Sequence, residues 1–367
     1  MATMFGNLTP SYRQVLDAVW RNGPSSRAEI AVTTGFTRPA ISQMVQELTN
    51  LGLLTEQSAR KGQRGQPARP VMVRGSAGFS AGVNFSHSYV EIALVDLSGA
   101  LIATTRADIE RPSPEIIANV VRRRLDKIVK AQSLDPDRLL GVGISIPGDF
   151  STEGRWLPHV YFPELRDSDV NKRFESVLET PVILENDGRV CAIGERVMGV
   201  GKAYRTFMLV HIGHGVGGGL IIDGKPYRGA LGNAGIMGQY YPYGAPRPSG
   251  QDLLETLKAE GIDVDDFDDL ERLPDDNDVV GRWITRAAGQ LCGDIARVSR
   301  FFGPEAVILA GRLPPSIMNR LAKAIDLDSE LRPMDDLPIP PLLASSLGSS
   351  AGMIGAASLP IFQKLLP

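Results

Sequence analysis

Apolar positions recur with two different periods along this chain. Near the N-terminus, Ile41, Met44, Val45 and Leu48 fall three and four apart, which turns one stripe of a helix toward a core. Thr37 stands ahead of that stripe as a cap, and Pro39 lies in the first turn, where a missing N–H costs nothing. Thr34-Gly35-Phe36 separates this helix from a shorter one, whose start, Ser26-Arg27-Ala28-Glu29, has the form of a capping box. Gly52 closes the second helix. Residues 53–56 and 71–74 read as strands flanking a glycine-rich loop from Gln57 to Arg69. Two capped helices followed by a strand, loop and strand predict a winged helix-turn-helix over residues 1–78.

From Phe79 the pattern changes. Residues 81–85, 89–95 and 101–105 read as strands, with Val90, Ile92 and Leu94 alternating and a turn at Leu97-Ser98-Gly99-Ala100. A helix over 114–131 carries Ile117, Val121, Leu125 and Ile128 along one side. A strand at 139–146, a helix at 170–178 and a strand at 181–184 complete the unit. The same order then returns. Strands at 207–212 and 219–222 are followed by a turn at Asp223-Gly224-Lys225 into a third. Then come a long helix over 281–301, a strand at 306–310, a helix at 315–325, a strand at 341–344 and a closing helix at 347–359. A repeated unit predicts two similar α/β lobes, about 79–187 and 188–367, with a ligand cleft between them.

Charge sharpens the division. The chain of 367 residues has a net charge of -3, but residues 1–78 hold nine Lys/Arg against four Asp/Glu, and the remainder thirty against thirty-eight. A basic front on an acidic body suits one module that binds nucleic acid and one that does not. The outward face of the second helix offers Thr37, Arg38, Ser42, Gln43 and Gln46 to base edges. The loop contributes Arg60, Lys61, Arg64 and Gln66, either as a hook for phosphates and a narrow minor groove or as a solvated linker. Two isolated cysteines, Cys191 and Cys292, form neither a disulfide framework nor a zinc knuckle. Without a signal-like start or a bilayer-length apolar run, a cytoplasmic protein with no membrane partner is expected.

The chain resembles the ROK family of repressors and sugar kinases from about Thr9 to Leu359, including the N-terminal DNA-binding domain of the family's regulators. The resemblance rests on Ile212-Gly213-His214-Gly215-Val216-Gly217-Gly218-Gly219 with its continuation through Gly235. It rests also on Glu185-Asn186-Asp187 with Glu195, and on Ser346-Leu347-Gly348 with Gly355-Ala356-Ala357. It implies an α/β chain: a winged helix-turn-helix followed by a two-lobed, actin-like sugar-kinase fold. It also implies sugar contacts from Asn186 and Asp187, the latter matching the general base of the family's kinases. Asn-Asp-Gly is equally a common strand-end turn.

The departures are specific. The phosphate-gripping Asp-x-Gly-Gly-Thr of the kinases corresponds to Asn84-Phe85-Ser86-His87-Ser88, so an acid and two bare backbones are gone. The glycines from Gly213 to Gly219 remain, as a phosphate cradle or as a tight hairpin needing positive φ angles. Ile236 and Gln239 replace a sugar-gripping glutamate and a zinc-binding histidine, and the cysteine cluster gives way to residues 240–250. Glu255 corresponds to the family's last sugar-binding glutamate. None of the four histidines is assigned a chemical role.

These readings predict a DNA-binding regulator, acting as a repressor on double-stranded operator DNA. Its effector would be a small carbohydrate-type molecule held by Asn186, Asp187, Gln239 and Glu255. It would be a homodimer or higher homo-oligomer, with no cofactor, no metal and no catalytic residue. A sugar kinase that also binds DNA is the rival reading.

Overall fold

The computed structural model describes residues 8–56, 69–151, 156–158, 160–166, 169–331 and 337–366. The N-terminal unit has three helices, α1 (Pro10–Asn22), α2 (Arg27–Thr34) and α3 (Arg38–Asn50). Strands β1 (Leu54–Glu56) and β2 (Val71–Val73) pair antiparallel behind them. The capping box of α2 forms in full: the Ser26 hydroxyl accepts from the Glu29 N–H, and the Ser26 N–H donates to Glu29. Helix α3 ends as its glycine foretells. Gly52 takes φ +75°, its N–H donates to the Thr49 carbonyl, and Leu53 reaches back to Leu48. The sequence pattern was not read as predicting α1, although Pro10 opens it and Val15, Leu16 and Val19 bury one face. The loop that carries Arg60, Lys61, Arg64 and Gln66 lies outside the described residues, as does His159.

The body holds two five-stranded sheets built alike. The first contains β3 (Phe79–Phe85), β4 (Tyr89–Asp96), β5 (Leu101–Asp108), β6 (Leu139–Ile146) and β9 (Val182–Asn186), in the order β5-β4-β3-β6-β9. The second contains β10 (Phe207–Ile212), β11 (Val216–Ile222), β12 (Lys225–Tyr227), β13 (Ala306–Gly311) and β14 (Leu342–Ala344), in the order β12-β11-β10-β13-β14. In each, two hairpin connections are antiparallel and two crossovers are parallel. The helices α4 (Pro114–Ala131) and α5 (Val170–Leu178) pack together beside the first sheet. A small hairpin of β7 (Gly148–Phe150) and β8 (Trp156–Pro158) projects from the end of β6. Helices α7 (Gly250–Ala259) and α8 (Asp278–Phe302) belong to the second core, with Trp283, Ile284, Leu291 and Ile295 buried from α8.

Two helices cross between the lobes expected at 79–187 and 188–367. Helix α6 (Asp187–Val197) leaves the first sheet and lies against β11 and β10 of the second. The last helix, α11 (Ser350–Leu365), leaves the second sheet and lies against β3, β6 and α6. It is buried from Ala351 to Ile361, which explains why it is apolar on all sides. Its backbone comes so close that a side-chain carbon on Gly82 or Gly143 would collide with its carbonyls at Met353 and Ala356.

The N-terminal unit shares a core with the body. Val15, Leu16 and Val19 of α1 join Val95, Leu97, Leu140, Ile361 and Leu365 in one cluster. Trp20 meets Phe362 edge-on with ring centres 5.1 Å apart, and its indole N–H donates to the Leu97 carbonyl at 3.1 Å. Arg21 donates to the Asp223 carbonyl of the second lobe at 2.9 Å.

Candidate DNA-reading helix and interlobe cavity

Helix α3 buries Ile41, Val45 and Leu48 and leaves Thr37, Arg38, Ser42, Gln43 and Gln46 exposed. The Thr37 hydroxyl accepts from the Ala40 N–H and keeps its own proton to donate. Gln43 and Gln46 lie along the helix, each donating to the residue four positions on, Glu47 and Asn50, at 3.0 Å. These exposed bonds cost little to exchange for base edges. Tyr12 donates to Glu47 and Arg27 pairs with Glu56, tying α3 to α1 and α2 to β1.

Where the lobes meet there is a cavity of about 260 Å³. Asn186, Asp187 and Gln239 all line it. Glu255 does not. It faces an adjoining depression beside Tyr161 and Thr256, because Tyr243 and Arg247 of the 240–250 loop stand between the two spaces. Asn186 is also the N-cap of α6: its side-chain oxygen accepts from the Arg189 N–H at 3.2 Å and its amide donates to the Gly148 carbonyl at 2.6 Å. That leaves Asp187 as the freer group. One of its oxygens accepts from the Gly188 N–H at 2.8 Å; the other faces His211 Nε2 at 3.5 Å, too far for a hydrogen bond.

Three further cavity residues were not identified from the sequence. Asp149, on β7, has its carboxyl pushed up to about 6 by burial and by the neighbouring charge of Asp187, against the pull of Arg189. His211 is buried within β10, and both ring nitrogens lack a hydrogen-bond partner. Burial holds its pKa below the ordinary range although Asp187 pulls the other way, so it is a neutral ring presenting one donor and one acceptor. Arg247 is the third. No motif distinguishes these residues in sequence; only the meeting of β7, β10 and the 240–250 loop brings them together. Behind them Glu185 and Arg189 form a buried ion pair at 2.8 Å, and Glu185 also accepts from the Asn186 N–H and from Arg228. This pair sets the position of the Asn186-Asp187 corner.

The tight hairpin expected of the glycine run forms, with Ile212 opposite Val216, but not through positive φ angles. Gly217, Gly218 and Gly219 lie in β11, and none of the glycines from Gly213 to Gly219 has a positive φ. Gly218 and Gly219 are required by close packing. A side-chain carbon on Gly218 would sit 2.6 Å from the Gly235 carbonyl oxygen and 2.8 Å from that of Leu209; one on Gly219 would sit 2.8 Å from Gly188. The run is where α6 and the 235 turn press on the second sheet.

Across the cleft, Asn84-Phe85-Ser86-His87-Ser88 is occupied by bonds to the other lobe. Arg312, just beyond β13, donates to Asn84 and to the Tyr89 hydroxyl at 3.1 Å each, and to the Phe85 carbonyl. Ser86 and Ser88 donate to Asp266 at 3.1 Å and 2.5 Å. His87 stacks on Phe162 at 4.4 Å. A guanidinium thus occupies the turn where the resembling kinases grip phosphate. The 239–250 region does not suit zinc either: it offers an amide, phenols and a guanidinium but no thiolate. The loop is held instead by Tyr241 donating to Asp294 at 2.8 Å and by Ser249 capping α7.

Comparison with known proteins places these features. The profile of the ROK family matches residues 80–362, and that of the MarR family matches residues 7–65. The y4fQ protein of Sinorhizobium fredii is 37% identical over 97% of this chain and 92% of its own length. The xylose repressor of Bacillus spizizenii is 28% identical over 95% of this chain and 94% of its own length. Among solved structures, a ROK family transcriptional regulator homologous to the E. coli Mlc protein superposes with a TM-score of 0.70 at 21% identity. It covers 97% of this chain and 96% of that one.

Proposed function

Because the chain belongs to the ROK family and carries a winged helix ahead of the family's domain, we propose that it is a DNA-binding transcriptional repressor released or engaged by a small polyhydroxylated effector. The observation that carries the reading is the exposed polar face of α3, mounted on a unit whose first helix shares a core with the body. Full-length relatives that are xylose repressors support both halves of it. Arg38, Ser42, Gln43 and Gln46 would read base edges in the major groove, with Thr37 at the helix start and Arg60, Lys61, Arg64 and Gln66 along the backbone or minor groove. A cytoplasmic homodimer would place two such modules on an inverted repeat. Among the described residues no helix is long and apolar enough to cross a membrane.

The effector would sit in the interlobe cavity. Its hydroxyls would donate to Asp187 and exchange hydrogen bonds with His211 and Gln239. Helix α6 supplies a path to the DNA-binding unit. It begins at Asn186 and Asp187, runs about 16 Å at 1.5 Å per residue, and ends at Val197. There Gly99 separates Val197 from Trp20 so narrowly that a methyl would touch both. A ligand that draws the α6 N-terminus toward the second sheet can therefore tilt the seat of α1. It changes DNA affinity only by its preference between those two arrangements.

The kinase alternative is disfavoured by the turn from Asn84 to Ser88, which has an amide in place of an acid and side chains at Ser86 and His87 in place of bare backbone, and whose Asn84 side chain and Phe85 carbonyl are tied to Arg312. Asp187 would then hold a hydroxyl without deprotonating it for transfer. The test is selection of bound duplexes from a random pool with the full chain, followed by sugar challenge of the selected complex. An inverted repeat that is bound by the full chain, lost on deleting residues 1–78 and released by a sugar is the expected result. Sugar-dependent ADP formation that vanishes in Asp187→Ala would refute the regulator-only reading.

A further inference from the structure

Arg247 is a charged side chain with unmet hydrogen-bonding capacity. Its residue is only 4% exposed, yet it lines the interlobe cavity. One terminal nitrogen donates to the Gly238 carbonyl at 3.0 Å, and the guanidinium lies 4.2 Å over the Tyr243 ring. Nε and the other terminal nitrogen have no partner. Among the described residues no carboxylate comes within ion-pair distance of it. The nearby Asp252 accepts only the Arg247 backbone N–H, at 3.0 Å, and its other oxygen is taken by Trp283 and Arg286. Contrast Arg312, which spends its donors on three protein acceptors. Buried cations in folded proteins are paired, since an uncompensated one is strongly destabilising. Arg247 has the donors of a pair and lacks the acceptor.

The cavity lining carries both signs of charge: Asp149 and Asp187 supply its carboxylates and Arg247 its guanidinium. We infer that the effector is an acidic sugar: a polyol whose hydroxyls face Asp187 and His211, and whose anionic group, carboxylate or phosphate, takes the unpartnered donors of Arg247. This rests on reading the cavity as the effector site. The unpartnered Nε–H and Nη1–H can each donate to such a group, carboxylate or phosphate alike, once the 240–250 loop shifts to uncover these buried atoms. The two aspartates would repel the anion and Arg247 would attract it, so the ligand has one orientation. Binding would complete the arginine's hydrogen bonds, moving the 240–250 loop with it.

The experiment is calorimetric titration of the full chain with matched sets: neutral aldoses, the corresponding uronic and aldonic acids, and the aldose phosphates. At least one acid or phosphate should bind roughly 10-fold or more tighter than its neutral parent, the worth of one charge-assisted hydrogen bond. The acid and phosphate arms tell the two anions apart. Arg247→Met should weaken the anionic ligand by about 10–100-fold and leave the neutral parent within about threefold. Arg247→Lys, which keeps the charge and the stem, should retain part of the preference and guards against a folding defect in the first variant. A neutral aldose binding as tightly as every acid, or no anionic member binding at all, overturns the inference. Operator release is scored separately. A neutral sugar that releases DNA would sink this inference and leave the regulator standing; an acid that binds through Arg247 without moving operator affinity would do the reverse.

Discussion

Replacing Arg312 with methionine removes the cation that joins the two lobes on the nucleotide side of the cleft. The side chain now makes three hydrogen bonds there: to Asn84 and Tyr89 at 3.1 Å each and to the Phe85 carbonyl. Bonds to a charged donor are worth about 1.5–3 kcal/mol each, but part of that is offset by the cost of desolvating the guanidinium. Truncation leaves the Phe85 carbonyl and the Asn84 amide buried and short of partners. Glu91, whose pKa burial already raises and Arg312 opposes, loses its main counter-charge. Loss of one member of such a buried set costs about 3–5 kcal/mol. A body of this size has an unfolding entropy near 0.6 kcal/mol per degree, so the melting temperature should fall by about 5–8 °C. Differential scanning calorimetry of the full chain reads this directly. Arg312→Lys should recover less than half, because an ammonium cannot reach three divergent acceptors from one stem. If Arg312→Met melts within about 1 °C of the parent, the guanidinium is not what holds the lobes together and the argument fails.

Three other outcomes are expected. Gln43→Ala and Arg38→Ala should change which operator bases are preferred, whereas Lys61→Ala and Arg60→Ala should weaken all duplexes and lower the salt slope by about one unit per lost phosphate contact, read by fluorescence anisotropy at several ionic strengths. Gly218→Ala should destabilise by about 1–3 kcal/mol in urea melts, since its methyl meets two backbone carbonyls, while Gly289→Ala, with nothing within 4 Å of the new methyl, should be neutral or better. Asp149 stays protonated in the folded chain up to about 6 and in the unfolded chain only to 3.8. Stability should therefore be highest below about pH 4 on this group's account and fall as pH rises through 6. Asp149→Asn should remove that slope and melt higher than the parent at pH 7–8; identical melting profiles from pH 4 to 8 would show that the carboxyl is not perturbed.

Local rules were enough for the two capped helices of the DNA-binding unit and for the succession of strands along each repeat. Ser26, Glu29, Thr37, Pro39 and Gly52 specify caps and turns through bonds within four residues of themselves, so the sequence determines them without tertiary help. The repeated unit likewise imposes two equal sheets, because alternation and turn residues act along one strand at a time. What it did not determine is how the units interlock. The glycine run reads as a hairpin, which forms, or as a phosphate cradle; Gly218 and Gly219 are glycines because α6 and the Gly235 turn press on them, and contact between distant segments leaves no local signal. The exchange of α6 and α11 between lobes is hidden for the same reason, since an all-round apolar helix does not say which sheet covers it. The cavity was half legible. Asn186, Asp187 and Gln239 stand in recognisable segments, but Glu255 was carried over from a loop whose length has changed, and tertiary structure puts it on the far side of Tyr243 and Arg247. Asp149, His211 and Arg247 acquire their character from burial and from neighbours far away in the chain. Only the folded chain decides which charge is paired and which is left open.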